Sequence, residues 1–125
     1  MSNQLEGTKL DGFDPRTTVT ELEIIDVIPG GGDEVKDGDT ITAHYTGALV
    51  ADGTIFQSSK DTGSPATFGL NQVIAGWTKG VPGMKVGGTR RLVIPAAQAY
   101  GSKSPAPNIP ANSDLVFDIE LVTIN

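Results

Sequence analysis

The chain has 125 residues, 38% of them hydrophobic and 19% charged, which is length and apolar content for one globular domain. Nine basic residues against fifteen acidic ones leave a formal charge of −6, which disfavours non-specific affinity for nucleic acid or an anionic membrane. The absence of cysteine removes disulfides, thiolate nucleophiles and cysteine metal sites together.

Sixteen Gly and eight Pro point to short strands joined by tight turns. Residues 1–18 read as an arm of little periodicity, partly ordered or flexible, with Leu10 and Phe13 able to dock on the body. The domain proper then runs over 19–125. Strand character begins at Thr20 to Ile28, rich in β-branched residues and closed by Pro29-Gly30-Gly31-Gly32. Thr40 to Ala48 alternates, with Ile41, Ala43 and Tyr45 on one face and Thr40, Thr42, His44 and Thr46 on the other. Asp52-Gly53 reads as a hairpin turn leading into Ile55-Phe56. A polar loop from Ser58 to Ala66 precedes a short strand around Thr67 to Gly69.

Asn71 to Val81 is the one predicted helix, with Asn71 as N-cap and Val73, Ile74 and Trp77 near the i, i+3, i+4 spacing of an apolar face. Pro82-Gly83 would end it, since Pro cannot extend a helix and Gly accepts a left-handed turn. Thr89 to Ile94 is a further strand. Gly101 to Asn112 is a loop in which Pro105, Pro107 and Pro110 limit backbone freedom. Leu115 to Thr123 closes the chain, with Leu115, Phe117, Ile119 and Leu121 expected to point inward. The sum is an α+β domain, an antiparallel sheet with one short helix packed on it.

The inventory of reactive groups is thin. His44 is the only histidine, which leaves no two-histidine metal site, and it sits on the polar face of its strand as a solvated or hydrogen-bonded side chain. No Gly-x-Ser-x-Gly elbow occurs, and Gly83 to Gly88 has phosphate-loop spacing but is followed by Thr89 where Lys is required. The carboxylates are scattered through turns and outward strand faces. An enzyme of this composition needs neither a side-chain nucleophile nor a cofactor. No apolar run approaches the ~20 residues that span a bilayer, and residues 1–7 lack the regions of a secretory signal. The expectation is a cytoplasmic protein, or an extracytoplasmic one if this is a mature or truncated form.

The chain does supply aromatic residues beside turns, and on pattern alone these read as core packing. Their order and contexts say more. His44-Tyr45-Thr46-Gly47 is followed by Asp52-Gly53 and Phe56, then by the run from Phe68-Gly69-Leu70 to Ala75-Gly76-Trp77. Gly80-Val81, Met84 and Val86-Gly87-Gly88 come next, then Ile94-Pro95, Ala99-Tyr100-Gly101, Ile109-Pro110 and Leu115-Val116-Phe117. From about Thr18 to Ile124 the chain strongly resembles the FKBP-type peptidyl-prolyl cis-trans isomerases.

That resemblance implies five or six antiparallel strands curled around the short helix, with a pocket between helix and sheet floored by Trp77. It implies Tyr45, Phe56, Gln57, Ile74, Trp77, Tyr100 and Phe117 as catalytic positions and Phe68, Val73 and Ile109 as substrate-binding ones, with no metal. The Ile74 N–H and the Tyr100 hydroxyl would hold the substrate backbone, and the 101–112 loop would overhang the pocket. The implied activity is rotation of X-Pro bonds in proline-containing polypeptides by a monomer without a cofactor, assisting protein folding. The alternative is a module of the same fold that binds proline peptides or macrolides with little turnover. Four positions depart from the common family pattern. Gln57 stands where many members carry Asp, Ala66 where an aromatic is frequent, and Pro105 and Asn108 replace more usual flap residues. The missing carboxylate weakens the expectation of tight macrolide binding.

Overall fold

The β-branched and aromatic runs fold into six strands of one antiparallel sheet, in a computed structural model that describes residues 7–10, 12–16, 19–103 and 109–125. In chain order these are β1 (Glu23–Ile28), β2 (Thr40–Leu49), β3 (Ile55–Ser58), β4 (Ala66–Gly69), the helix α1 (Ala75–Gly80), β5 (Thr89–Ile94) and β6 (Leu115–Ile124). The strand order is β1-β5-β6-β2-β3, and β4 also pairs with β2. The two longest strands lie together at the centre, running from Ile41 opposite Ile124 to Leu49 opposite Leu115. The Asp52-Gly53 turn joins β2 to β3; the Thr54 N–H donates to the Asp52 carboxylate at 2.9 Å, and Gly53 takes φ of 76°. That bond is the main reason the Asp52 carboxyl is held below its ordinary range.

Alternation gives the sheet two faces with separate cores. On the inner face Ile41, Ala43, Leu92, Ile94, Leu115, Phe117, Ile119 and Leu121 pack with Trp77, Val81 and Met84. On the outer face Ala48, Val50, Ile55, Val93 and Val116 are covered by Leu10, Val19 and Phe13 of the N-terminal segment. The same segment is fastened by charge: the Asp114 carboxylate accepts from the Val19 and Ala96 N–H groups, and Arg91 pairs with Asp118 while donating to the Gly12 carbonyl. At the sheet edge Ile24, Ile25, Val27 and Ile28 of β1 stay roughly half exposed. A register shift between Asp26 and Ile28 and the following Pro29 blunt this edge against further strand pairing.

α1 differs from its expected form. It begins at Ala75, not Asn71, and spans six residues to Gly80. Ile74 is the N-cap residue with extended backbone (φ −59°, ψ 151°) and no side-chain cap, so Asn71 does not cap the helix. Residues 71–74 are a turn: the Gln72 N–H bonds to the Gly69 carbonyl, and the Thr78 hydroxyl donates to the Leu70 carbonyl at 2.6 Å. Val73 and Ile74 therefore precede the helix and do not share its face. The C-terminal end is as expected, with Gly83 at φ of 95° and its N–H on the Val35 carbonyl.

The helix lies almost directly on β5. A Cβ on Gly76 would come within 2.6 Å of Ile94, and one on Gly80 within 2.7 Å of Leu92. Other differences are small. β1 starts at Glu23 and not Thr20, β2 ends one residue later than expected, at Leu49, and the 58–66 loop contains a 3-10 turn at Ser59–Asp61.

Candidate functional site

Between α1 and the inner face lies an open cavity of about 330 Å³. β2 contributes Tyr45, β3 Phe56 and Gln57, β4 Phe68, and β6 Phe117; Trp77 comes from α1, Gln72, Val73 and Ile74 from the turn before it, and Tyr100 from the loop after β5. Nine of the ten residues expected from sequence therefore line one cavity. The tenth, Ile109, is buried in the core cluster that includes Trp77. Ala66 pairs with Ala43 in β4, while Pro105 and Asn108 lie outside the described residues.

The walls are held by edge-to-face aromatic contacts. Trp77 is 3% exposed and meets Phe68, Phe117 and Tyr45 at ring separations of 4.9, 5.3 and 5.8 Å. Tyr45 also meets Phe68 at 5.4 Å, and Phe56 meets Phe117 at 5.7 Å. Such pairs contribute about 0.5–1.5 kcal/mol each beyond area burial, and interlocked rings cannot collapse into the space they surround. Gly47 lies behind this wall, where a Cβ would approach Phe117 and Phe56 to 2.6 Å.

Two local irregularities aim the walls. The register of β2 on β3 shifts between Gly47 and Ala48, so that Gln57 opposes Gly47 and Ile55 opposes Ala48. This bulge lets the consecutive residues Phe56 and Gln57 both reach the cavity, which a regular strand forbids. The second concerns Tyr45. β4 pairs with Thr40 to Ala43 of β2 and β3 pairs with Thr46 to Ala48, leaving His44 and Tyr45 with neither. The buried Ser59 fills the gap: its Oγ accepts the Tyr45 N–H at 2.8 Å, reaches the Tyr45 carbonyl at 3.3 Å and lies 3.0 Å from His44 Nδ1. Ser59 sits in what the sequence presents as a polar loop, and Gln72 is likewise a lining residue without a sequence signal. His44 is a hydrogen-bonded side chain on the outer face, away from the cavity.

The cavity is apolar but keeps hydrogen-bonding capacity in reserve. The Ile74 N–H has no partner among the described residues, as the N-cap position leaves it without an intrahelical acceptor. The hydroxyls of Tyr45 and Tyr100 make no hydrogen bond among the described residues. Trp77 Nε1 is buried without a partner there too, a rare condition for a buried donor. Burial, and secondarily the neighbouring Tyr100, push the Tyr45 phenol above its ordinary range. Among the described residues no group of His and acidic side chains could hold a metal ion.

Comparison with known proteins gives the arrangement a family. Residues 31–122 match the sequence model of the family described as FKBP-type peptidyl-prolyl cis-trans isomerase. The chain is 46% identical over 108 residues to the peptidyl-prolyl cis-trans isomerase FPR2 of Saccharomyces cerevisiae, covering 83% of this chain and 80% of that one. It is 53% identical over 95 residues to the isomerase FkpA of Aeromonas hydrophila, covering 76% of this chain but 35% of that longer protein. Among solved structures, a peptidyl-prolyl cis-trans isomerase of Pseudomonas syringae superposes with a TM-score of 0.75 at 36% identity, over 83% of this chain and 75% of that one. FkpA of Escherichia coli superposes with 0.76 at 42% identity, over 94% of this chain and 53% of that one. The chain, from its central β2–β6 pair to the aromatic cavity under α1, belongs to the FKBP-type peptidyl-prolyl cis-trans isomerase family.

Proposed function

We propose that the chain catalyses cis-trans rotation about X-Pro bonds of polypeptides bound in the cavity over Trp77, and so assists folding. The observation that carries this reading is an apolar aromatic cavity with a backbone donor at its edge, the Ile74 N–H, that is unspent among the described residues. Rotation about an X-Pro amide faces a barrier of about 20 kcal/mol because it breaks C–N conjugation. At the twisted midpoint the carbonyl is less polarised, so apolar walls disfavour the planar ground state more than the transition state. The Ile74 N–H and the Tyr100 hydroxyl hold the substrate backbone while the rings enclose the prolyl group. No covalent bond forms and no net proton is taken up. The reaction needs one copy of the chain, no cofactor and no nucleic acid.

The test is refolding of a protein limited by proline isomerisation, with a cis-trans peptide assay beside it. Acceleration of the slow phase at micromolar protein supports the reading, and an unchanged slow phase overturns it. Tyr100→Phe should lower the rate and His44→Ala should not. A second reading, binding of proline segments with little turnover, is favoured by Gln57, which puts an amide in the cavity wall where the family resemblance implies a carboxylate. Trp77 fluorescence that responds to a proline peptide without rate enhancement would select it. A macrolide occupying the same cavity would compete with the peptide, held less tightly for want of that carboxylate.

A further inference from the structure

One buried charge lies outside the aromatic cavity. Arg90, on the inner face of β5, has a side chain 9% exposed, whereas its partner Asp26 on the edge strand is 54% exposed. Its Nε donates to Asp26 Oδ1 at 2.7 Å, and Nη2 lies 3.4 Å from Oδ2. Nη1 is directed elsewhere, donating to the Gly80 carbonyl at 2.8 Å and the Pro82 carbonyl at 3.2 Å. These carbonyls belong to the last residue of α1 and to the turn that leaves it. The end of a helix has carbonyls without intrahelical partners, and a cation there satisfies them and complements the local dipole.

The packing of α1 explains why this contact matters for the site. Where the helix meets β5 it presents Gly76 and Gly80, which permit close approach but offer no side chain to interlock along the helix axis. Its middle is held by Trp77 among the rings and by the Thr78 hydroxyl on the Leu70 carbonyl, but its last residue, Gly80, has no side chain and needs other bonds to fix its place. Arg90 supplies them. Trp77 is linked to the same end, since the Val81 N–H bonds to the Trp77 carbonyl at 3.0 Å. We infer that Arg90, oriented by Asp26, is a positioning residue for the cavity: it fixes the C-terminal end of α1 and thereby the Trp77 ring and the Ile74 N–H. The inference rests on the proline-pocket reading for its effect on substrate, but not for its effect on Trp77.

Arg91 provides the control, because it adjoins Arg90 in sequence and points to the opposite face. There it pairs with Asp118 at 2.6 and 2.8 Å, away from the helix. The experiment compares the full chain with Arg90→Met, Arg90→Lys, Asp26→Asn and Arg91→Met at a temperature where circular dichroism shows each folded. The readouts are the emission maximum of Trp77 (the single tryptophan), the dissociation constant for a Leu-Pro tetrapeptide, and kcat and KM separately. Arg90→Met should red-shift the emission and lower kcat/KM about tenfold, mostly through kcat, as expected of misplaced groups. Arg90→Lys should recover part of the loss, since an ammonium cannot reproduce the guanidinium fork, and Asp26→Asn should cost about twofold. Arg91→Met should lower the melting temperature and leave emission and kcat/KM as in the unmodified chain.

Wild-type emission and peptide handling in Arg90→Met, whatever its melting temperature, would overturn the inference; so would an Arg91→Met variant with the same shifts. If Arg90→Met does not fold, Arg90→Lys and Asp26→Asn decide the matter, and unchanged emission in both sinks it. A chain that turns over no proline peptide defeats the isomerase reading alone, because emission and peptide affinity still test the positioning.

Discussion

On the inner face of the sheet, Phe117, Ile94 and Leu92 pack under a helix and leave an open cavity, whereas on the outer face Val93, Val116 and Ala48 lie beneath Leu10, Phe13 and Val19. The outer face also has a depression, about 220 Å³ beside Lys9, His44 and Glu120, two-thirds the volume of the inner 330 Å³. The two differ in what their polar groups are doing. In the outer one Lys60 is paired with Glu120, Asp118 with Arg91, and His44 with Ser59. In the inner one the walls are aromatic, and among the described residues the Ile74 N–H and both phenol hydroxyls remain unspent. A recess becomes a binding site when its apolar walls resist collapse and its hydrogen bonds are still to be made. α1 is too short to close the inner face, and the rings keep it open.

This contrast can be broken by substitution. Trp77→Ala should cost about 3 kcal/mol of stability, the low end for a buried aromatic because an unpaired N–H disappears with the ring. It should also abolish most proline-peptide turnover. Urea unfolding and the peptide assay check both effects, and retained turnover would remove Trp77 from the site. Leu10→Ala, on the outer face, should cost about 2 kcal/mol with kcat/KM unchanged; a matching loss of turnover would mean the faces are coupled. Gly47→Ala should cost about 1–3 kcal/mol by pressing on Phe56 and Phe117, both too buried to yield. Its turnover should fall more than its stability implies, which a comparison with Leu10→Ala at equal urea distance from the midpoint would reveal.

The smallest effect is alkaline. Burial holds the folded-state value of Tyr45 above the unfolded value of about 10, so stability is full below that pH and declines as pH rises through the folded value. The melting temperature should therefore fall above about pH 10, less steeply in Tyr45→Phe. Coincident curves for the two proteins would show that Tyr45 is not the source.

Much of the site was legible because its residues sit in short ordered motifs. Tyr45, Phe56, Trp77, Tyr100 and Phe117 could be named from sequence and do line one cavity. The start of α1 was not legible. Asn71 has the chemistry of an N-cap, but the turn over residues 71–74 is held by bonds to Gly69 and Leu70, and these override the local preference. Gln57 could be named, yet its reach into the cavity depends on a bulge set by pairing with β2. Ser59 gave no signal, since a serine in a polar loop reveals nothing of the gap it fills between β3 and β4.

The sequence by itself determined the strands, their two faces and the Pro82-Gly83 stop, because alternation and turn chemistry act between near neighbours, while the aromatic set was legible through the family resemblance of its ordered motifs. Tertiary structure alone decided that the helix would shrink to six residues and release the Ile74 N–H. It also decided that Arg90 would turn toward that helix while Arg91 turned to Asp118, and that the outer face would be covered while the inner stayed open. These outcomes depend on register and contact between segments far apart in the chain. No local pattern contains them.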